Sequence, residues 1–366
     1  MAGENLSSIF AALSQIMAPD LERQWNRTTM FLGAISATQG VSQGAGKNVA
    51  FDVEFTNATA QTVAEGSDVP ASEYASDNNT VAIFPWCTYR SSFQVTELEL
   101  DAAASSAGTA NALRDLFGER IMNAGSILAK QIESDALNGT GVDANGNPAL
   151  IGIYGGALSA SGPYGGINPA TFTEWASNVV SNGGTLRPLT PDLMEQVDSN
   201  IFTASGLPWN LVMTDAGVLR KYADIFTTAS QGGPLIRMND NAQAPKMGLG
   251  WALDAQSQPI DAYFKGKPVI RNFLNPSNKM AFLNTEKIKI KYLPRAFNKA
   301  DIDFLNMLGL QGSSGGSAPI QATSIPARIS VLAKTGDSYK LSLKTTIAMA
   351  VTRRNALGLL VDVNES

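Results

Sequence analysis

The sequence predicts an α+β fold built from unusually long elements. Three observations carry that expectation. Residues 105–137 keep apolar side chains at spacings of three and four for far longer than an ordinary helix. Two alternating stretches, 48–63 and 81–100, flank a polar, turn-rich segment and read as the arms of one long hairpin. Residues 151–300 interleave short helices with short strands, and the chain closes on paired strands.

Taken in order, residues 5–17 place Leu6, Ile9, Phe10, Leu13, Ile16 and Met17 on one helical face, and Pro19 ends that helix. Its apolar stripe needs a dock, on the same subunit or on a neighbour. In NVAFDVEFTNATAQTV (48–63), Phe51, Val53 and Phe55 alternate with Asp52 and Glu54. In VAIFPWCTYRSSFQVTELEL (81–100), Phe93 and Val95 alternate with Gln94 and Thr96, then Leu98 and Leu100 with Glu97 and Glu99. At about 3.3 Å per residue each arm could reach roughly 50 Å. A lone two-stranded ribbon is marginal in water, so this one needs a surface to lie on.

The helical run that follows aligns Leu113, Leu116, Phe117, Ile121, Ala124, Leu128, Ile132 and Ala136. About 33 residues at about 1.5 Å each make a rod of roughly 50 Å. Gly118 and Gly125 would each cost about 1 kcal/mol in an exposed helix. Asn138 or Gly139 ends the rod, and a turn-rich connector follows. PATFTEWASNVVSN (169–182) has Pro near its start and Gly183 after its end, so it reads as a helix. TPDLMEQVDSNIFTASG (190–206) repeats the punctuation, with Thr190 as N-cap and Gly206 as stop. WNLVMT (209–214) is a buried strand, and DAGVLRKYADIF (215–226) a helix opening on an Asp cap. KGKPVIRNF, KMAFLN and KIKIKYL read as strands. Residues 308–326, LGLQGSSGGSAPIQATSIP, form a Gly/Ser/Pro-rich connection. ARISVLAK, a TGDS turn and YKLSLKTTIAMAVTRRNALGLLVDV then read as paired strands.

Composition removes most enzyme chemistry. The chain has no histidine, so the commonest general base and metal ligand is missing. Cys87 is its one cysteine, which excludes an internal disulfide and a cysteine-built zinc site. It sits among apolar neighbours in IFPWCTY, which suits a buried, inert thiol. The N-terminus carries Glu4 and no basic region, unlike a signal peptide, and no apolar run approaches the roughly 18 residues of a membrane span. Charged residues make up 16% of the chain, low for a solvated surface and consistent with extensive self-association.

Charge is also unevenly placed. Residues 48–89 hold Asp52, Glu54, Glu65, Asp68, Glu73 and Asp77 and no base, while the rest of the chain is close to neutral. A basic surface of the kind that binds nucleic acid in general is not suggested.

Asp143-Ala-Asn145-Gly-Asn147 begins like a calcium loop, but Pro148 stands where that loop needs Gly and Tyr154 where it needs Glu. Gly139-Thr-Gly141 lacks the lysine and the preceding strand of a phosphate loop. The acid pairs Glu97/Glu99 and Asp301/Asp303 each fall on one face of a strand, but a glycosidase dyad usually draws on separate segments, so a solvated face is the expected role. No catalytic, metal or cofactor site is expected.

The order of parts is specific: helical arm, acidic hairpin, rod helix, Gly/Asn-rich break, α+β module, terminal strands. It resembles the major capsid proteins of tailed double-stranded DNA bacteriophages with the Hong Kong ninety-seven fold. The stretches that carry the likeness are VAEGSDVP, TYRSSFQVTELEL, AKQIESDALNGTGVDANGNPALIGI, KGKPV and KTTIAMAVTRRNALGLLV. The resemblance implies an N-terminal arm over 1–47 and an extended loop over 48–95. It implies a peripheral domain from 96–150 with 325–366, containing the spine helix, and an axial domain over 151–324. The function it implies is a shell protein that self-assembles into pentamers and hexamers of an icosahedral head. The head would enclose double-stranded DNA without sequence specificity, and portal and scaffolding proteins would be partners. The chain starts at Met1 just before the arm, so the scaffold is expected to be a separate protein. Assembly is expected in the host cytoplasm, with the product in the virion.

In that family the extended loop lies across a neighbouring subunit. An acidic ribbon without bases cannot pair within itself, so its partner surface should be basic. The expected interface joins Glu65, Asp68, Glu73 and Asp77 to Arg353 and Arg354, with Arg295 and Lys299 as second choices. Some members cross-link through a lysine on the loop. Here no lysine lies between Lys47 and Lys130, which argues against that chemistry. The alternatives are a nanocompartment (encapsulin-like) shell of the same fold or, further off, a hydrolase working through carboxylates such as Asp301 and Asp303.

Overall fold

Burial follows the hydrophobic pattern strand by strand in the computed structural model, which describes residues 30–55, 62, 65, 79–99, 109–228, 262–293, 328–331 and 337–365. The expected helix over 5–17, the connection over 308–326 and the acid pair Asp301/Asp303 lie outside the described residues. The chain divides into two compact units. One holds Tyr89–Lys130 and the described part of Arg295–Thr345; the other holds Met30–Thr88, Gln131–Pro294 and Thr346–Ser366.

The second unit opens with helix α1 (Met30–Ala37), strand β1 (Val41–Gln43) and the ribbon strands β2 (Asn48–Glu54) and β3 (Asn79–Pro85). β2 and β3 pair antiparallel from Asn48 opposite Pro85 to Glu54 opposite Asn79. The expected hairpin therefore forms, but its second arm is not one strand. The chain breaks pairing at Trp86 and resumes as β4 (Cys87–Thr96), which joins a different sheet. Each of the two paired strands has 7 residues, or about 23 Å.

The alternation expected to run to Leu100 also stops early, because Glu97–Glu99 are helical. Thr96 and Glu99 form a capping box. The Glu99 N–H donates to Thr96 Oγ1 (3.3 Å), and the Thr96 N–H donates to Glu99 Oε2 (3.0 Å). Arg120 fixes this corner within the first unit, donating to Glu99 Oε1 (2.6 Å) and the Gln94 carbonyl (2.5 Å).

The rod is observed as α2 (Thr109–Asn138), 30 residues and about 45 Å long. Ile121, Ala124, Leu128, Ile132 and Ala136 are buried at the expected spacing. The rod ends at Asn138, and the chain turns into the hairpin of β5 (Thr140–Val142) and β6 (Pro148–Ile151). The break is a glycine-only close approach. A Cβ on Gly155 would run into the Gly139 carbonyl oxygen, and one on Gly139 into the Leu150 carbonyl. The Gly152 N–H donates to the Gly139 oxygen (2.7 Å) across the same contact.

Residues 169–182 do not form the expected helix. They make a short 3-10 turn at Thr173–Trp175 and then strand β7 (Asn178–Val180). Trp175 is 2% exposed and Val180 is buried too, so burial on two sides of an extended segment overrides the Pro/Gly punctuation. The next helix, α3 (Pro191–Ser205), appears as expected. Thr190 Oγ1 accepts from the Leu193 N–H (3.3 Å), and Gly206 closes the helix at φ 67°. Strand β8 (Leu211–Thr214) and helix α4 (Ala216–Thr228) follow, the helix capped by Asp215 on the Gly217 and Val218 N–H groups.

Strands β9 (Ala262–Phe264), β10 (Lys267–Arg271) and β11 (Met280–Leu283) complete the module, with β15 (Gly358–Leu360) returning from the chain's end. They form one six-stranded mixed sheet in the order β7–β15–β11–β8–β10–β9. β8 and β11 are buried at every residue, as central strands must be. Met194, Val197 and Ile201 of α3 and Val218 and Tyr222 of α4 pack with Trp209, Phe264 and Phe282 in its core.

A second sheet runs β1–β12–β14–β13, through β12 (Ile288–Tyr292), β13 (Arg328–Val331) and β14 (Ser338–Val351), with β4 also pairing β14. β14 has 14 residues. Ile347–Val351 pair with β12, and Leu341–Lys344 pair with β13.

Candidate functional site

The ribbon of β2 and β3 has two unlike faces. On the inner face Val49, Ala82 and Phe84 are buried, and Phe51 joins them. Phe51 stacks on Phe84 (ring centroids 5.9 Å), and Phe84 lies against Tyr164 (4.9 Å). Phe55 stacks on Phe172 (4.4 Å) and meets Trp175 edge-on (6.0 Å). The Ile83 N–H donates to the Gly165 carbonyl (2.9 Å), and Gly165 at φ 62° leaves room for the Phe84 ring. The base of the ribbon thus has its surface on its own chain. Its outer face is open among the described residues. Ala50 pairs with Ile83 and Asp52 with Val81, and Val81 and Ile83 remain 47% and 49% exposed. Asp52 and Glu54 are exposed beside them. Strand register alone dictates this face, and period-two reading of 48–54 against 79–85 would have exposed it.

The loop that seats the ribbon is held from within by Arg354. This side chain is fully buried, and among the described residues its guanidinium has no carboxylate partner. Nε donates to the Ala157 carbonyl (3.0 Å), Nη1 to Gly162 (3.2 Å), and Nη2 to Gly156 (3.1 Å) and Ser159 (2.5 Å). Its flat group also lies 5.2 Å from the Tyr164 ring and 5.9 Å from Trp175. Burial pushes the Arg354 pKa down to about 10, so it stays charged at neutral pH. Tyr164 in turn accepts the Val351 N–H at its hydroxyl (3.0 Å), and Trp175 donates to the Tyr164 carbonyl (3.0 Å).

Arg354, expected at a subunit interface, is buried within its own chain. Five donors in a planar fork match a curl of backbone carbonyls, and that drives the side chain inward. Its neighbour Arg353 is exposed, with Nη2 donating to the Ser205 carbonyl (2.7 Å) and Nε to Asn355 Oδ1 (3.3 Å). Glu65 is exposed. Asp68, Glu73, Asp77, Arg295 and Lys299 lie outside the described residues.

Asp143 and Cys87 are both engaged by their own surroundings. Asp143 accepts from the Asn145 N–H (2.8 Å), the Asn147 N–H (2.7 Å) and Asn147 Nδ2 (2.9 Å), so its oxygens are used by its own turn. Those bonds, the Asn147 amide first, hold its carboxyl below the usual range. Cys87 is 2% exposed, and burial pushes its thiol up to about 11. Among the described residues no three His, Cys, Asp or Glu side chains gather as metal ligands, and no helix is long and apolar enough to cross a membrane.

Residues 23–303 match the SU10 major capsid protein family. No curated protein matches the chain by sequence. Among solved structures, the capsid of cyanophage A-1(L) superposes with a TM-score of 0.71 at 18% identity, covering 94% of this chain and 96% of that one. The capsid of Myoviridae phage XM1 gives 0.50 at 12% identity, covering 93% and 94%. The holo-SrpI encapsulin complex of Synechococcus elongatus PCC 7942 gives 0.53 at 10% identity, covering 97% and 96%. At these identities the likeness is one of fold.

Proposed function

The chain belongs to the SU10 major capsid protein family, and from that premise we propose that its copies close into pentamers and hexamers of an icosahedral phage head around double-stranded DNA. The family is structural rather than catalytic, which removes the hydrolase reading. The observation that carries the proposal is the family match over residues 23–303, which spans the ribbon, the rod and every strand of the six-stranded sheet except β15. The encapsulin likeness is one of fold and does not favour a cargo shell over a phage head.

In this reading residues 1–47 are the arm, 48–95 the extended loop, 96–150 with 325–366 the peripheral domain, and 151–324 the axial domain. β15 is then a strand that the last segment lends to the axial sheet. A separate scaffolding protein and a portal protein complete the assembly in the host cytoplasm, and the DNA is held without sequence readout.

The subunit contact we propose is the outer face of the ribbon and its tip against a basic surface of a neighbour. Asp52, Glu54, Val81 and Ile83 supply an acidic and apolar strip, and Glu65 continues the charge. Asp68, Glu73 and Asp77 extend it in sequence, and Arg353, Arg295 and Lys299 are the facing cations. The apolar pair excludes water while the charges set register and partner.

Negative-stain electron microscopy with sedimentation velocity tests the assembly. Closed shells, or rings of five or six, are expected. A monomer that stays monomeric with a scaffolding protein present would overturn the reading. The contact is tested by Arg353→Glu, which should reduce shell yield and leave the fold intact. Normal shells from that variant would remove Arg353 from the interface.

A further inference from the structure

Among the described residues, Glu133 and Arg354 are the only charged side chains that are fully buried. Arg354 is accounted for by its carbonyls. Glu133 lies near the end of α2, on the stripe that includes Ile132, Ala136 and Leu137. Its Oε1 accepts from the Phe31 N–H (3.2 Å) and from Asn272 Nδ2 (2.9 Å). The N–H groups of Met30 and Leu32 also face the carboxyl, while Oε2 has no partner among the described residues. The carboxyl is thus the N-terminal cap of α1, supplied from 102 residues away.

Among the described residues, every group that meets it is neutral. α1 (MFLGAISA) has no charged residue, and neither does Asn272–Asn275, which comes from the end of β10. The nearest charges in sequence on its own helix are Lys130 and Asp135, and Arg271, beside Asn272, is exposed. Two effects compete. The first-turn N–H groups of a helix favour a carboxylate, and burial without a counter-charge disfavours it. Burial dominates and raises Glu133 from 4.5 to about 7.

We propose that Glu133 is a proton-operated latch on α1: the protonated carboxyl leaves the helix docked, and the ionised one loosens it. α1 is otherwise held by its own apolar face, with Phe31, Leu32, Ala34 and Ile35 buried, and by β1 on β12. Undocking would return the carboxyl to water and to its ordinary affinity for a proton. The docked state therefore binds the proton more tightly. Its contribution to docking is complete below about pH 4.5 and is lost as pH rises through about 7. α1 is also where the proposed arm joins the subunit, so the latch would set how firmly the root of that arm is fixed.

Hydrogen–deuterium exchange on the full chain between pH 5 and pH 8, corrected for intrinsic rates, reads this directly. Protection over Phe31–Ile35 should fall roughly tenfold or more across that window, while the β11 strand Met280–Leu283 stays unchanged. Glu133→Gln keeps an acceptor for the Phe31 N–H but cannot ionise, so its protection should be flat with pH. The same slope in Glu133→Gln would overturn the latch. If that variant does not fold, the wild-type profile still decides. A flat profile at α1, or a fall shared equally by β11, sinks the proposal.

Discussion

Arg354→Ala is the substitution that most directly questions how the ribbon is seated. It removes the donor from four carbonyls, those of Gly156, Ala157, Ser159 and Gly162, and the flat group beside Tyr164 and Trp175. A buried polar group left without a partner costs about 1–3 kcal/mol, and water entering the space left by the side chain would recover part of it. Breaking a buried charged network of this kind costs about 3–5 kcal/mol in total, which is where we place the loss. That is a large share of the roughly 5–15 kcal/mol that holds a typical domain together. Arg354→Lys keeps the charge, but a point ammonium cannot fork to four carbonyls, so a loss of about half that size is expected. The assay is urea unfolding followed by tryptophan fluorescence, since Trp175 lies in the affected cluster, with proteolysis of residues 156–166 as a local readout. Arg353→Ala is the control and should fall within about 0.5 kcal/mol of wild type. Should Arg354→Ala share the midpoint of that control, the carbonyl curl does not depend on the guanidinium and the account of the seat is wrong.

The remaining predictions follow from close contacts and burial. Gly155→Ala forces a backbone shift where the rod ends and the β5–β6 hairpin begins, because the new methyl would fall on the backbone carbonyls of Gly139 and Asn138; a loss of about 2–3 kcal/mol in urea unfolding is expected. Cys87, with its thiol pushed up to about 11 by burial, should react with iodoacetamide at pH 8 at least about a hundredfold more slowly in the folded chain than in urea. Equal rates in the two conditions would place the thiol at the surface.

Much of the fold was legible because local chemistry and tertiary packing agree there. Thr190, Pro191 and Gly206 mark α3 within one residue, and the period of Ile121, Ala124, Leu128 and Ile132 marks the buried side of the rod. Where they disagree, packing wins. The 169–182 segment has helix punctuation, but Trp175 must reach the aromatic cluster and Val180 the sheet core, and an extended chain does both. At Thr96 the error has a different source. Alternation over 93–100 and the capping box Thr96-Glu97-Leu98-Glu99 are both present in the sequence, and the side-chain cap decides because it satisfies two N–H groups at once.

The pair Arg353 and Arg354 shows where sequence reading stops. The two residues are adjacent and chemically identical, yet one is exposed and the other fully buried. The difference is made by carbonyls 192–198 positions earlier in the chain, in a curl built from Gly156, Ala157, Ser159 and Gly162. No local periodicity encodes a contact of that separation. Glu133 has the same origin, since its partners lie at Phe31 and Asn272. An acid at a buried helix position reads as an exposed residue until the donors that hold it are found. The two buried ionisable side chains therefore act on what local pattern leaves open, the loop that seats the ribbon and the docking of α1.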